Sequence, residues 1–263
     1  MTDAQKAAAP GTLHIPMVAG AVTPVVNLPG IQSGQLRLSG ELLAAIYLGE
    51  ITRWGDDRLR VENSTVSLPN QDIIVVRRSD GSGTTNIFTT YLAQVSPAWR
   101  DRVGAGNSVN WPVGLGGEGN AGVAGQVRQL PGAIGYVELA YAKQNNMPWV
   151  AMRNRSGQYV EPSLPATTAA MEGVEIPPST EVMIVNSANP QAYPIAGFTW
   201  ILVFEEQREP AIARSLAHAL WWAIHDGQRF AADLDYAPLS ASAQGAAEAQ
   251  IKRITVGGRR VLE

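Results

Sequence analysis

Arg77-Arg78-Ser79-Asp80-Gly81-Ser82-Gly83-Thr84-Thr85 is the stretch on which the reading of this chain turns. It follows the β-branched run Ile73-Ile74-Val75-Val76 and precedes a helix-like segment from Asn86 to Gln94. A strand thus delivers an arginine into a glycine-rich turn that opens a helix. The first N–H groups of a helix have no intrahelical partner, and the helix dipole adds positive potential there, so the turn reads as an anion cradle. Arg78 can grip two oxygens of a tetrahedral anion through its planar fork, while Ser82 and Thr84 add hydroxyl donors. Gly81 and Gly83 allow close backbone approach and positive φ. Asp80 is out of place beside an anion unless it pairs with Arg78, orienting the guanidinium and cancelling charge. Binding would then rest on directional hydrogen bonds, which favours recognition over catalysis. The candidate ligand set is Arg78, Ser82, Gly83 and Thr84, with Asp80 in support. The same residues also fit an ordinary Gly/Ser turn capped by Thr84, with Arg78 extended to solvent.

Other phosphate and catalytic motifs fit this stretch worse. A P-loop needs lysine after its last glycine, where Thr84 stands, and the dinucleotide-binding glycine spacing is missing. A nucleophile elbow needs glycines two positions either side of Ser82, where Asp80 and Thr84 stand. The glycine-dense run from Gly114 to Asn120 reads as a tight turn before a helix, with no arginine or hydroxyl pair beside it. The histidines are His14, His218 and His225. His218 and His225 fall opposite the apolar stripe of a long helix, which makes them solvated, and as a metal pair they lack a third ligand. Trp221-Trp222 would broaden a buried face or meet a neighbouring domain. No metal site, cofactor or catalytic residue is expected. A phosphoester hydrolase with Ser82 as nucleophile, assisted by Arg78, is the alternative reading, and it wants a histidine or metal set.

Composition sets the frame around the cradle. The chain has 263 residues, 45% hydrophobic and 16% charged, enough for one sizeable core or two smaller ones. A net charge of −3, with no basic cluster beyond Arg77-Arg78 and Arg259-Arg260, argues against a nucleic-acid partner. Cysteine is absent, which removes disulfides and thiolate chemistry. No run of 18 apolar residues occurs, and the start Met1-Thr2-Asp3-Ala4-Gln5-Lys6 lacks the pattern of a signal peptide, so neither direct membrane insertion nor an export signal is expected in this chain.

Periodicity predicts a strand from Leu13 to Val26, a turn at Asn27 to Gly30, and a helix from Glu41 to Gly49 capped by Ser39, its apolar face made by Leu42, Leu43, Ile46 and Tyr47. Beyond the cradle come a glycine-dense stretch to Gly125, a short helix around Gln129, a strand at Ala133 to Val137 and a helix from Glu138 to Gln144. Residues 153–180 read as a proline-rich loop that decorates the core, and Glu181 to Asn186 and Phe198 to Phe204 as two strands. The longest helix, Glu209 to Asp226, shows Ile212, Leu216, Leu220 and Ile224 at spacing four, and a last helix covers Ala243 to Ile254. Alternating strands and helices imply an α/β fold with a mostly parallel sheet.

Five segments now carry a family resemblance over nearly the whole chain: Arg77 to Thr84, Val113 to Gly117, Leu130 to Glu138, Ala142 to Asn146, and Leu234 to Leu239. Their order and spacing resemble the periplasmic phosphate-binding protein of the bacterial phosphate ABC transporter. The resemblance implies a type II periplasmic binding-protein fold, two α/β lobes with a cleft holding dehydrated phosphate, joined by crossings near Pro16 to Ala21 and Pro194 to Thr199. It assigns residues 1–18 and 197–263 to lobe I and 19–196 to lobe II, which carries the cradle. Arg78, Ser82, Gly83 and Thr84 become phosphate ligands and Asp80 the residue that orients Arg78. The implied protein is periplasmic, is no enzyme, and delivers inorganic phosphate to a membrane permease. Family members begin with a Gly/Ala/Thr/Phe-containing turn, a Gly-Ser-Ser-Gly-type turn and a Ser-Asp segment, none of which occurs here. The expectation is therefore an N-terminally truncated chain with an incomplete lobe I, weakened phosphate binding, and exposed apolar surface at Phe198 to Phe204 and on the long helix. A degenerate lobe docking on a partner that supplies the other half is the remaining alternative.

Overall fold

The computed structural model describes residues 3–262. In chain order the elements are α1 (Asp3–Ala8), β1 (Thr12–Val26), β2 (Arg37–Leu38), α2 (Gly40–Tyr47), α3 (Asp57–Glu62), β3 (Ile74–Arg78), α4 (Gly83–Val95) and α5 (Pro97–Arg102). There follow β4 (Leu115–Gly117), α6 (Gly119–Gln129), β5 (Ala133–Glu138), α7 (Leu139–Gln144), β6 (Ala151–Arg153), β7 (Tyr159–Val160) and α8 (Leu164–Met171). The chain closes with β8 (Ala196–Phe204), β9 (Glu206–Gln207), α9 (Pro210–Ile224), two 3₁₀ turns, α10 (Ala241–Ile251), β10 (Thr255–Val256) and β11 (Arg259–Arg260). They form two compact units: residues 20–170 with 184–197, and residues 1–19 with 171–183 and 198–263.

The larger unit, residues 20–170 with 184–197, carries the cradle. Its strands β3, β4 and β5 belong to a five-stranded sheet in the order β4-β3-β5-β1-β8, and its β2, β6 and β7 form a separate three-stranded sheet. β3 runs parallel to both neighbours, with Arg78 opposite Gly117 on β4 and Val75 opposite Ile134 on β5. β1 returns antiparallel, Val26 opposite Ile134. The parallel strands β3, β4 and β5 all lead at their carboxyl ends into helices α4, α6 and α7, the side on which open α/β sheets bind ligands. Val25, Val76, Val123, Val127, Ala133 and Val137 pack into one cluster, each buried Val contributing roughly 1.5–3 kcal/mol. A second layer is aromatic: Phe88 stacks on Tyr136 at 4.2 Å between ring centres, and Tyr47 and Trp111 close around them. Ser39 caps α2, and Gly49 leaves it at φ 75°.

The glycine-dense stretch departs from the expected turn. Residues 115–117 are strand β4, and Gly119, Gly122 and Gly125 lie in α6. Packing is the reason. A Cβ on Gly117 would stand 2.7 Å from the Val123 nitrogen, and one on Gly135 would stand 2.7 Å from the Val127 side chain. The helix lies on β4 and β5 at a distance only glycine permits. Residues 153–180 likewise do more than decorate, since α8 buries Ala166, Thr167, Ala169, Ala170 and Met171. Glu181 to Asn186 is no strand. Thr180 and Asn186 adopt positive φ, and Pro177 and Pro178 lack the N–H groups a ladder needs.

In the smaller unit, α9 and α10 pack with the first half of β1 around Leu13, Ile15, Leu220, Ile224, Ile251 and Ile254. The buried stripe of α9 is Ala213, Ala217, Leu220 and Ile224, while Ile212 is 63% exposed. Spacing four overruns the helical repeat by about 40° per step, so a stripe whose Leu220 and Ile224 face the core leaves its first member, Ile212, rotated off it. Ile201, Leu202 and Phe204 on β8 and Trp222 on α9 are exposed as well. Trp221 packs against the core. His218 is exposed, but His225 is not simply solvated: its Nδ1 lies 2.8 Å from the Trp221 carbonyl, its Nε2 lies 3.0 Å from Glu248, and its ring stacks on Trp221. No helix among the described residues is long and apolar enough to cross a membrane.

Candidate functional site

β3 ends at Arg78 and α4 begins at Gly83, so four residues turn the chain from sheet to helix. Ser82 is the N-cap, its Oγ accepting from the Thr85 N–H at 3.2 Å. The alternative reading of a turn capped by Thr84 does not hold, since Thr84 occupies the second helical position. The Ser82 N–H donates to the Asn107 carbonyl at 2.9 Å, which fixes the turn from below. Among the described residues the N–H groups of Gly83 and Thr84 have no hydrogen-bond partner. These two donors and the Ser82 and Thr84 hydroxyl groups all belong to one helix start.

Neither Gly81 nor Gly83 has positive φ, which corrects the reason given for them from sequence. A Cβ added at either would meet nothing within 4 Å. Their contribution is open space in front of the helix N-terminus.

Arg78 is buried and does not extend to solvent. Its Nε donates to Asp80 Oδ1 at 2.7 Å and its Nη2 to Asp80 Oδ2 at 2.5 Å, a two-pronged pair that fixes the guanidinium plane. Asp80 Oδ1 also accepts from the Gly119 N–H at 3.1 Å, so the start of α6 holds the carboxylate from its other side. The Arg78 hydrogen bonds, followed by the Gly119 N–H, hold the Asp80 carboxyl well below the usual carboxylate range. Asp80 in turn raises the Arg78 pKa. The acidic residue that looked misplaced is neutralised on two sides.

Three contributors escaped sequence reasoning. Gly119 supplies its N–H to Asp80 from a segment read as a turn. The Tyr136 hydroxyl accepts from the Arg78 N–H at 3.3 Å and lies 2.7 Å from Thr85 Oγ1. Thr85 itself is buried beneath the cradle. Burial pushes the Tyr136 phenol up to about 12, so it keeps its proton at neutral pH. Arg77, next to Arg78 on the strand, alternates to the opposite face, where its guanidinium lies near Gly116. Among the described residues no group of three or more His, Asp or Glu is placed to hold a metal ion.

Comparison with known proteins places the chain in a family. The family model described as the PBP superfamily domain matches residues 1–221. The phosphate-binding protein PstS of Haemophilus influenzae is 43% identical over 242 residues, covering 91% of this chain and 72% of the relative. PstS of Pasteurella multocida is 43% identical over 229 residues, covering 86% of this chain and 67% of the relative. The solved structure of the periplasmic phosphate-binding protein PfluDING with phosphate bound superposes with a TM-score of 0.72 at 18% identity, over 95% of this chain and 76% of that one. The α/β fold is that of periplasmic phosphate-binding proteins.

Proposed function

Because this chain belongs to the PstS family of phosphate-binding proteins within the PBP superfamily, we propose that it takes up inorganic phosphate at the β3–α4 cradle and passes it to the membrane permease of a phosphate ABC transporter. The observation that supports this most is the pairing of a locked arginine with an open helix N-terminus. Arg78 is oriented by Asp80, and among the described residues the N–H groups of Gly83 and Thr84, at the start of α4, have no hydrogen-bond partner. In this reading Arg78 provides charge and planarity, the two amides and the Ser82 and Thr84 hydroxyls provide directional donors, and Gly83 keeps the approach open. Asp80 positions Arg78 without cancelling the site. A periplasmic location follows from the same family membership.

The chain is a binding protein and not an enzyme: its curated relatives are phosphate-binding proteins. A hydrolase using Ser82 is not favoured, since the Ser82 Oγ serves as the cap of α4. Nor is a degenerate lobe completed by a partner. Isothermal titration of inorganic phosphate into the chain tests the proposal. Saturable binding that Arg78→Ala removes supports it, and saturable binding unchanged by Arg78→Ala overturns the cradle assignment.

A further inference from the structure

We infer that the Tyr136 hydroxyl is a positioning group of the cradle: it ties the end of β3 that carries Arg78 to the first turn of α4 that carries Ser82, Gly83 and Thr84. This rests on the cradle being the phosphate site. The paired residues of β3 and β5 end at Val75 and Ile134, whereas β3 stays paired with β4 as far as Arg78 and Gly117. Past the end of the β3–β5 ladder, between Val75 and the start of α4 at Gly83, side-chain hydroxyls bond to the β3 backbone. The Tyr47 hydroxyl donates to the Val76 carbonyl at 3.4 Å, and the Arg78 N–H donates to the Tyr136 hydroxyl at 3.3 Å. The same Tyr136 oxygen lies 2.7 Å from Thr85 Oγ1, and the Thr85 N–H in turn donates to Ser82 Oγ.

A continuous chain of hydrogen bonds therefore runs from the backbone of Arg78, through Tyr136 and Thr85, to the N-cap Ser82. Its two ends are members of the proposed ligand set. The Tyr136 ring has little freedom to move, being stacked on Phe88 at 4.2 Å and 10° and on Trp111 at 5.9 Å and 27°. Phenylalanine would fill the same stack. What the hydroxyl adds is a fixed span between the guanidinium and the helix start, and a tetrahedral anion needs both at once.

The test compares phosphate binding and thermal unfolding in Tyr136→Phe, Thr85→Val, Thr85→Ser, the double variant Tyr136→Phe/Thr85→Val, and Arg78→Ala, using ¹⁵N-NMR titration so that millimolar affinities are measurable. Tyr136→Phe and Thr85→Val each weaken phosphate binding roughly five- to tenfold, the double variant loses no more than either alone, and Thr85→Ser, which keeps a hydroxyl, stays within about twofold of the parent. The Gly83 and Thr84 amide shifts move in the free protein of both hydroxyl-removing variants, a signature that lost core stability alone does not give. If Tyr136→Phe fails to fold, Thr85→Val against Thr85→Ser carries the same comparison. Affinity within twofold of the parent in the hydroxyl-removing variants, while Arg78→Ala abolishes binding, overturns the positioning role and leaves the cradle standing. Binding untouched by Arg78→Ala overturns the cradle reading and this inference with it.

Discussion

Asp80 accepts both prongs of Arg78, Nε at 2.7 Å and Nη2 at 2.5 Å, from two residues further along the chain. A carboxylate so close to the proposed anion site costs little because its charge is already spent on the guanidinium and on the Gly119 N–H. The pair makes a rigid plane out of a long side chain whose free rotamers would otherwise have to be frozen on binding, an ordering cost of roughly 0.5–1.5 kcal/mol per side chain.

Arg78→Lys keeps the positive charge and discards the planar fork, with its two-pronged grip on Asp80. One or two charge-assisted hydrogen bonds at about 1.5–3 kcal/mol each correspond to a loss of roughly 10- to 100-fold or more in phosphate affinity. Calorimetric titration of the variant checks this. Affinity equal to the parent would mean that charge alone binds the ligand.

The Arg78–Asp80 pair also sets a pH window for stability. Asp80 titrates in the folded chain below its ordinary value, chiefly through the Arg78 hydrogen bonds, so the folded state holds fewer protons than the unfolded one in acid. The pair's contribution is then fully present above the unfolded aspartate value of about 3.9 and fades as pH falls through the lower folded value. The melting-temperature advantage of the parent over Asp80→Asn should be constant from pH 7 to about pH 5 and shrink below about pH 4. An advantage that stays the same down to pH 2 would rule the pair out as its source.

His14 acts at higher pH. It is buried in β1, and desolvation lowers its pKa, an effect that the Glu181 carboxylate 3.3 Å away only partly opposes. The unfolded chain therefore binds this proton first, and stability is lost as pH falls below the unfolded histidine value of about 6.5. His14→Gln should flatten the decline in melting temperature between pH 7 and pH 5. A slope as steep as the parent's would place the sensitivity elsewhere.

The strand-turn-helix frame of the proposed cradle was legible in the sequence because everything that defines it locally lies within nine consecutive residues, and a strand, a turn and a helix start each have local signatures. Its supports were not. Gly119 reaches Asp80 across 39 positions and Tyr136 reaches the Arg78 N–H across 58, contacts that exist only once β4 and β5 have flanked β3. The glycines misled in two opposite ways. Gly81 and Gly83 invited an argument from positive φ that the backbone does not use, while Gly117 and Gly135, read as punctuation or as plain strand, are the positions where α6 needs a missing Cβ. The α9 stripe failed at Ile212 for a geometric reason, the drift of spacing four against a repeat of 3.6.

The number of donors bounds the affinity. The cradle offers Arg78, the Gly83 and Thr84 amides and the Ser82 and Thr84 hydroxyls. Micromolar binding requires about 8 kcal/mol net. Charge-assisted hydrogen bonds of about 1.5–3 kcal/mol each must first offset an association cost of at least about 4 kcal/mol. At the lower end of that range five donors leave only about 3–4 kcal/mol, so the cradle acting alone should bind phosphate more weakly than micromolar. Titration of the chain giving a micromolar or tighter constant would show that further donors complete the site.

The two glycine classes give the sharpest separation of fold from function. Gly83→Ala places a Cβ in open space at the first position of α4, without a positive φ to strain it. Alanine in place of glycine reduces the entropy of the unfolded chain, a gain of up to about 1 kcal/mol, so the melting temperature should stay level or rise. On the cradle reading the same methyl group takes up part of the open space beside the Gly83 and Thr84 amides, so phosphate affinity should fall by roughly tenfold or more. Gly135→Ala behaves in the opposite sense. Its Cβ would stand 2.7 Å from Val127 and 2.9 Å from Val123, forcing α6 off the sheet at a cost of about 1–3 kcal/mol. Whatever fraction of that variant stays folded should keep a phosphate constant near the parent's. Melting curves paired with phosphate titrations of both variants decide the matter. A Gly83→Ala protein that binds as tightly as the parent would remove the helix start from the site, however stable the variant proved to be.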